Sequence, residues 1–333
     1  MERAKSLPFL LSPACKDYLW GGRRLKDDYG KQTDLKPLAE TWECSTHPDG
    51  LSSAANGEYA GLTLKDILRA RPEFLGTHAA ALSRDGDLPI MIKFIDARKD
   101  LSVQVHPGDK YAGAAENGQR GKTELWYVLD AKRDSRIVYG FKCDMTKERL
   151  RSALESGTVE RYLQYIPIKT DDVFYLAPGT VHAIGGGSLV AEVQESSNLT
   201  YRLYDYNRLD RSGKPRELHI DKAMDVLDFR HTAEPRQPMR TLNFRRGYAT
   251  ELLGRCRYFQ VERFLLNTER VKEMAQVRTG STTFQVLLVT DGCGMIATES
   301  LSFPFFKGDC IFVPAESEQM TLHGNAVMLK VGC

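Results

Sequence analysis

No two cysteines in this chain of 333 residues are spaced as CxxC, and their total of seven is odd. Positions 15, 44, 143, 256, 293, 310 and 333 are too scattered for the disulfide framework of a secreted domain, so reduced thiols and a cytoplasmic setting are expected. Long hydrophobic runs are missing too. The apolar stretch near the N-terminus is broken by Pro8 and Pro13 and lacks a signal-type cleavage site. No later run approaches the roughly 20 residues that a helix needs to cross a bilayer, so no membrane partner is expected. A surplus of positive charge is also absent. Lys and Arg total 46 against 44 Asp and Glu, a net charge of +2, and the cations are scattered among carboxylates. That excludes the electrostatic footprint of a nucleic-acid binder while leaving room for a local basic pocket.

What remains is ordinary globular composition, 42% hydrophobic and 27% charged, at a length that suits one large or two medium domains. The patterning is mostly that of strands. Residues 1 to 60 are rich in turn formers and suggest short strands and loops, and Leu88 to Ile95 reads as a buried strand. Helical spacing is confined to a few places. Thr63 to Arg69 is one, ended by Arg71-Pro72. Thr146 to Gly157 is another, with Thr146 as N-cap and Gly157 just past the end. A second helix is predicted from Val159 to Tyr165, so that 146–166 forms a helical insertion. From Asp172 onward short strands separated by turns resume, as in a sandwich or barrel rather than a βαβ alternation. Residues 207 to 247, charged and proline-containing, read as a linker with a short helix near 217–227.

The last ninety residues echo the first half. Phe284 to Asp291 can be laid on Thr123 to Asp130, and Lys307 to Pro314 on the stretch from Thr170 up to Pro178 with a one-residue gap. A duplicated β-barrel is the economical reading: a mainly β fold, residues 1–240 carrying one copy and residues 241–333 the other. In the second copy Gln285 takes the place of Glu124 and Glu318 stands near that of His182, so this copy is expected to hold no metal.

The chemistry concentrates between Lys93 and Leu129. In Leu101-Ser102-Val103-Gln104-Val105-His106 the polar residues fall on one side of a predicted strand, because successive side chains point to opposite faces. His106 ends that strand at Pro107-Gly108-Asp109, and His182 follows the tight turn Pro178-Gly179-Thr180-Val181. Glu124 lies in apolar sequence, where a carboxylate is costly unless paired or coordinating. Two imidazoles and a carboxylate, with the amide of Gln104 as fourth ligand, suit zinc with open positions; Fe(II), Mn²⁺ or Ni²⁺ would accept the same donors. Single histidines mostly play ordinary roles, and His47, His78, His219, His231 and His323 are assigned to that class. Lys122, two residues from Glu124 on the same face, is either a proton carrier or its charge partner. Arg202 either pairs with Asp205 or Glu195 or binds an anion through its planar fork. Lys93 and Ser102 are candidates for holding an anionic substrate. Trp20, Trp42 and Trp126 are read as core, and Gly185-Gly186-Gly187 as a hairpin turn rather than a phosphate loop.

Taken together, IKFIDARKDLSVQVHPGD, GKTELWYVLDA, APGTVHAIGGG and YRLYDYNR resemble the type I mannose-6-phosphate isomerases in their shorter bacterial form, and WGGRRL, ETWECSTHPDG and NGEYAG extend the likeness over nearly the whole chain. The resemblance implies two cupin-type (jelly-roll) β-barrels and one Zn²⁺ per chain in the N-terminal one. It implies a small-molecule sugar phosphate as partner, with mannose 6-phosphate and fructose 6-phosphate interconverted. By motif the zinc ligands fall on His106, Glu124 and His182, with Gln104 matching a further ligand of longer relatives; the catalytic arginine falls on Arg202 and the lysine near the metal on Lys122. The chain departs from its relatives at Ala177-Pro178, where Pro-Ala is usual, and at Asn198, where Asp is common. An iron-dependent cupin dioxygenase and a non-catalytic sugar-phosphate-binding cupin are the competing readings.

Overall fold

The computed structural model describes residues 6–235, 237, 239–269 and 274–333. The strands form three sheets, and the central one has six strands. Its middle strands, Ile90–Ala97 and Ser188–Glu195, are buried along all eight residues each, because both faces of this sheet are covered. On one face Ile92, Phe94, Leu125, Tyr127 and Val193 pack against Val286, Leu288, Phe312 and Leu329 of a ten-stranded C-terminal sheet. On the other, Ile95, Trp126, Val128 and Val190 pack against Ile137, Ile166 and Ile184 of a five-stranded sheet. Alternation along one strand thus serves two cores at once, which is why Leu88 to Ile95 reads as an apolar run broken only by Pro89 and Lys93.

The hydrogen bonding does not close either half into a barrel. Each sheet runs between edge strands, so the fold is mainly β and layered, and the closed barrels expected from the sequence are replaced here by facing open sheets. The first strand, Phe9–Ser12, lies between Cys310–Val313 and Ser53–Ala54, and so sits in the C-terminal sheet rather than in the sheets beside it in sequence. The buried pair of Lys31 with Glu43, 2.7 Å apart, adds a tie to the Gly308 carbonyl at 2.5 Å.

The predicted helices are partly realised. Thr63 and Thr146 cap Leu64–Ala70 and Lys147–Glu155, each hydroxyl accepting from the backbone N–H three residues on. The helix expected from Val159 to Tyr165 is instead one 3₁₀ turn, Val159–Arg161, followed by the strand Leu163–Pro167. That strand pairs with Arg136–Phe141, and the ladder overrides the local helical spacing. The helix Ile220–Val226 lies within the stretch read as a linker, yet Ala223 and Met224 pack into the core beneath the five-stranded sheet. The glycine triplet is not a hairpin turn: the flanking strands His182–Ile184 and Ser188–Glu195 belong to different sheets, and Gly185 to Gly187 carry the chain between them. A Cβ at Gly185 would lie 2.0 Å from the Arg136 carbonyl oxygen, so no larger residue fits this crossing.

Candidate active site

The site lies between the six- and five-stranded sheets, and cross-strand register builds it. On the five-stranded sheet Gln104 is opposite both His182 and Arg202, so these three side chains stand in a row on one face. On the six-stranded sheet Trp42, Lys93, Glu192 and Trp126 form a facing row, and Glu124 sits one pleat along, opposite Gln194. His106 follows the short strand Val103–Val105. The turn before His182 is bound to it, the Gly179 N–H donating to the His106 carbonyl at 2.9 Å. Gly179 has φ of +88°, a left-handed conformation that costs glycine little. The Ala177-Pro178 order therefore leaves the turn seated against His106.

His106, Glu124 and His182 are buried, and one ligand atom of each lies within 4.8 Å of the others. The two Nε2 atoms are 3.1 Å apart and face the Glu124 carboxylate at 3.2 and 3.6 Å. His182 Nδ1 donates to the Thr180 carbonyl at 2.8 Å, which leaves the Nε2 lone pair turned inward. Burial, reinforced by the Lys122 ammonium, pushes His106 down to about 3, and burial likewise lowers His182, so both rings are neutral. Burial alone would raise Glu124, but the Lys122 ammonium beside it outweighs burial and holds the carboxylate well below its ordinary range. Glu124 Oε1 meets the Lys122 ammonium, and Oε2 has no hydrogen-bond donor among the described residues. Neutral imidazoles converging on an ionised carboxylate form a ligand set that fits a divalent cation. Gln104 Nε2 stands 3.4 Å from His182 Nε2; turning the amide over presents its oxygen instead.

A cavity of about 300 Å³ opens beside these ligands, lined by Lys93, Ser102, Gln104, Lys122 and Arg202 among others. The eight candidate site residues, Lys93, Ser102, Gln104, His106, Lys122, Glu124, His182 and Arg202, therefore line this cavity or form the cluster next to it. Lys122 Nζ is 2.5 Å from Glu124 Oε1 and 3.4 Å from His106 Nε2, so it touches the cluster and the cavity at once. Arg202 pairs with neither Asp205 nor Glu195. Its guanidinium donates to Ser102 Oγ at 3.3 Å and to the Glu217 carbonyl at 2.8 Å, and no carboxylate among the described residues forms an ion pair with it. Asp205 is taken by Arg208 and Arg216.

Several residues of the site escaped the sequence reading. Glu192 sits 3.3 Å from Lys93 and accepts from Trp126 Nε1 at 2.9 Å, while Glu40, 3.9 Å from Lys93, accepts from Trp42 Nε1 at 2.7 Å. Burial works against the Lys93 charge, but Glu192 and Glu40 outweigh it and raise the ammonium above its ordinary value. A lysine inside an apolar strand signals that a carboxylate must meet it, though not which one. Trp20 and Trp126 line the cavity rather than simply filling core, and Arg216 lines it from the stretch read as a linker. Asn198 donates to Asp49 Oδ2 at 2.8 Å, so a carboxylate does stand beside this position, supplied by another segment.

The sequence and structure have clear relatives. Residues 9–122 match the family described as phosphomannose isomerase type I, catalytic domain, and residues 251–332 match the mannose-6-phosphate isomerase cupin domain. Mannose-6-phosphate isomerase ManA of Bacillus subtilis is 36% identical over 325 residues, 96% of each chain. A mannose-6-phosphate isomerase of Streptococcus mutans is 34% identical over 319 residues, again 96% of each. A crystal structure of the Bacillus subtilis mannose 6-phosphate isomerase superposes with a TM-score of 0.88 at 34% identity, covering 98% of this chain and 99% of that one. Alike in sequence and in fold along almost its entire length, the chain belongs to the type I mannose-6-phosphate isomerase family.

Proposed function

We propose that this protein interconverts mannose 6-phosphate and fructose 6-phosphate at the cavity between the two N-terminal sheets, with one Zn²⁺ held by His106, Glu124, His182 and Gln104. The carrying observation is that the buried His–Glu–His cluster, the Lys122 ammonium and the unpaired Arg202 charge all meet at one cavity. The scaffold we assign to it is a pair of cupin jelly rolls dividing near residue 240.

Aldose–ketose isomerisation moves a proton from carbon 2 to carbon 1 through a cis-enediol, and a hydroxyl proton from O2 to O1, so nothing is consumed. It needs a proton carrier and a stabiliser for the oxyanion that develops. When bound there by His106, Glu124, His182 and Gln104, a divalent cation would supply Lewis acidity toward the substrate. Lys122 Nζ is the proton carrier; its contact with Glu124 fixes it beside the ligand cluster. Arg202 stabilises the negative charge of the enediolate or phosphate, and Ser102 orients its fork. Arg216 adds positive charge to the same wall, and Lys93 and Ser102 hold the substrate.

A coupled assay following fructose 6-phosphate, with and without a chelator, tests this reading. Turnover that disappears with the metal and returns with Zn²⁺ is expected; oxygen uptake, or binding without turnover, would instead establish the dioxygenase or the binding protein. Arg202→Ala is expected to keep its metal and lose about 10²-fold or more in kcat, as removal of an oxyanion donor does elsewhere.

A further inference from the structure

The loop from Pro107 to Gly121 begins just after His106 and ends just before Lys122, so its two ends decide how a metal ligand and the lysine stand relative to each other. They meet in a narrow neck. The Lys122 N–H donates to the Pro107 carbonyl at 3.0 Å, and the Gly121 N–H donates to Asp109 Oδ1 at 2.9 Å. The segments are in direct contact: a Cβ at Gly121 would lie 2.5 Å from Asp109 N and 2.6 Å from Gly108 C. Asp109 therefore clasps the neck with one oxygen. Its other oxygen, Oδ2, accepts from Tyr258 Oη at 2.7 Å, while Arg84 lies 3.8 Å from Oδ1.

Tyr258 comes from the other unit. It stands at the tip of the tight connection from Tyr248–Arg255 to Gln260–Asn267, closed by the Cys256 N–H donating to the Phe259 carbonyl at 2.9 Å, and its ring packs on the core shared by the two units. We propose that Tyr258 is a positioning residue for the isomerase site: through Asp109 the C-terminal unit holds the neck that sets His106 against Lys122. The effect on turnover rests on the reading above, in which Lys122 moves the proton. The ligand-positioning half does not depend on it.

The experiment compares Tyr258→Phe with the unaltered protein, alone and in a Lys122→Met background. It reads kcat, KM, the thermal midpoint and the Zn²⁺ affinity of metal-stripped protein. Tyr258→Phe is expected to lower kcat about fivefold or more with KM held within about twofold, since one hydrogen bond to a charged group is lost. Zn²⁺ affinity is expected to fall by up to about tenfold, the low end of what loss of a ligand's own hydrogen-bond partner costs, because Tyr258 acts on His106 only through the neck. Asp109→Asn should reproduce both losses, and the double variant should be no worse than either single one. In Lys122→Met, Tyr258→Phe should leave the residual kcat unchanged while still weakening Zn²⁺. Normal kcat and Zn²⁺ affinity in Tyr258→Phe would overturn the proposal. So would an equal loss of kcat with and without Lys122 at unchanged Zn²⁺ affinity, which is the mark of general loosening. If Lys122→Met itself turned over normally, the proton role of Lys122 would fall, and the Zn²⁺ titration alone would decide whether Tyr258 positions His106.

Discussion

In the half with the candidate metal site Glu124 pairs across the sheet with Leu176 and Tyr127 with Val173; in the C-terminal half Gln285 pairs with Val313 and Leu288 with Cys310, the same register residue for residue. The turn leading into the second strand is repeated as well. The Val128 N–H donates to the Asp172 carbonyl and the Val128 carbonyl accepts from the Asp171 N–H, just as Val289 does with Asp309 and Gly308; Asp171 and Gly308 both have positive φ, and the Asp172 and Asp309 carboxylates each accept from the N–H three residues earlier. The next strands continue the match. Lys93 opposite Glu192 corresponds to Glu262 opposite Lys330, an ion pair with its polarity exchanged. One architecture therefore tolerates both a ligand cluster and none. What separates the two units is a handful of side chains: Gln285 where Glu124 stands, and no further His/Cys/Asp/Glu cluster among the described residues. Backbone pairing builds the shelf, and side-chain chemistry decides what is set on it.

The most severe way to break this comparison is to give the loaded shelf the residue of its counterpart. Glu124→Gln keeps the shape but removes the charge, so Lys122 loses its partner and the histidines their anionic neighbour. Metal affinity is expected to fall by more than the roughly 10–100-fold that follows loss of a mere outer partner, and activity with it, measured by metal content and the coupled assay. The reciprocal Gln285→Glu should gain no metal. Stoichiometric metal in the C-terminal unit of that variant would show that the units differ less than their side chains imply.

How much of this was legible beforehand follows from the range of each signal. The ligand cluster could be read because alternation is local: Gln104 and His106 share a face by the pleat, and Lys122 and Glu124 by the same rule. The turn repeated at 170–178 and 307–314 was legible for the same reason. Glu192, Glu40 and Arg216 were not, because their partners are chosen by register between strands tens of residues apart, which no local pattern specifies. Val159 to Tyr165 misled because helical spacing there is outvoted by pairing with Arg136–Phe141. The open sheets, and the insertion of Phe9–Ser12 into the C-terminal one, are likewise decisions of long-range pairing.

A smaller effect sharpens the comparison at the exchanged ion pair. Lys93 and Glu192 side chains are each 5% exposed, whereas those of Lys330 and Glu262 are 23% and 19% exposed. Removing one partner of a buried pair leaves an uncompensated charge and typically costs about 3–5 kcal/mol, while a pair near the surface is worth about 0–1 kcal/mol. Lys93→Met should therefore lower the urea midpoint far more than Lys330→Met. Equal costs would mean that the two pairs share an environment as well as a register.

The mildest test uses Glu195, two residues beyond Val193, whose counterpart two residues beyond Val331 is Cys333. Glu195 is buried; its Oε1 accepts from the Thr123 N–H at 2.9 Å, and its Oε2 has no partner. Burial raises its pKa to about 7 from 4.5, with Asp109 adding to the rise and Thr123 and Arg120 opposing it. Between these values the folded chain binds more proton than the unfolded one, so this group's contribution to stability falls as pH rises from about 4.5 to 7 and is level above that. The difference of roughly 2.5 units corresponds to about 3 kcal/mol. Glu195→Gln keeps the bond from Thr123 and buries an amide N–H₂ without an acceptor, a cost that does not vary with pH. Its stability relative to the unaltered protein should therefore improve by up to about 3 kcal/mol between pH 5 and pH 8, whatever the offset. A difference independent of pH in paired denaturation curves would show that the carboxyl ionises in the fold as it does in water, and that burial here is no deeper than at an ordinary edge of the sheet.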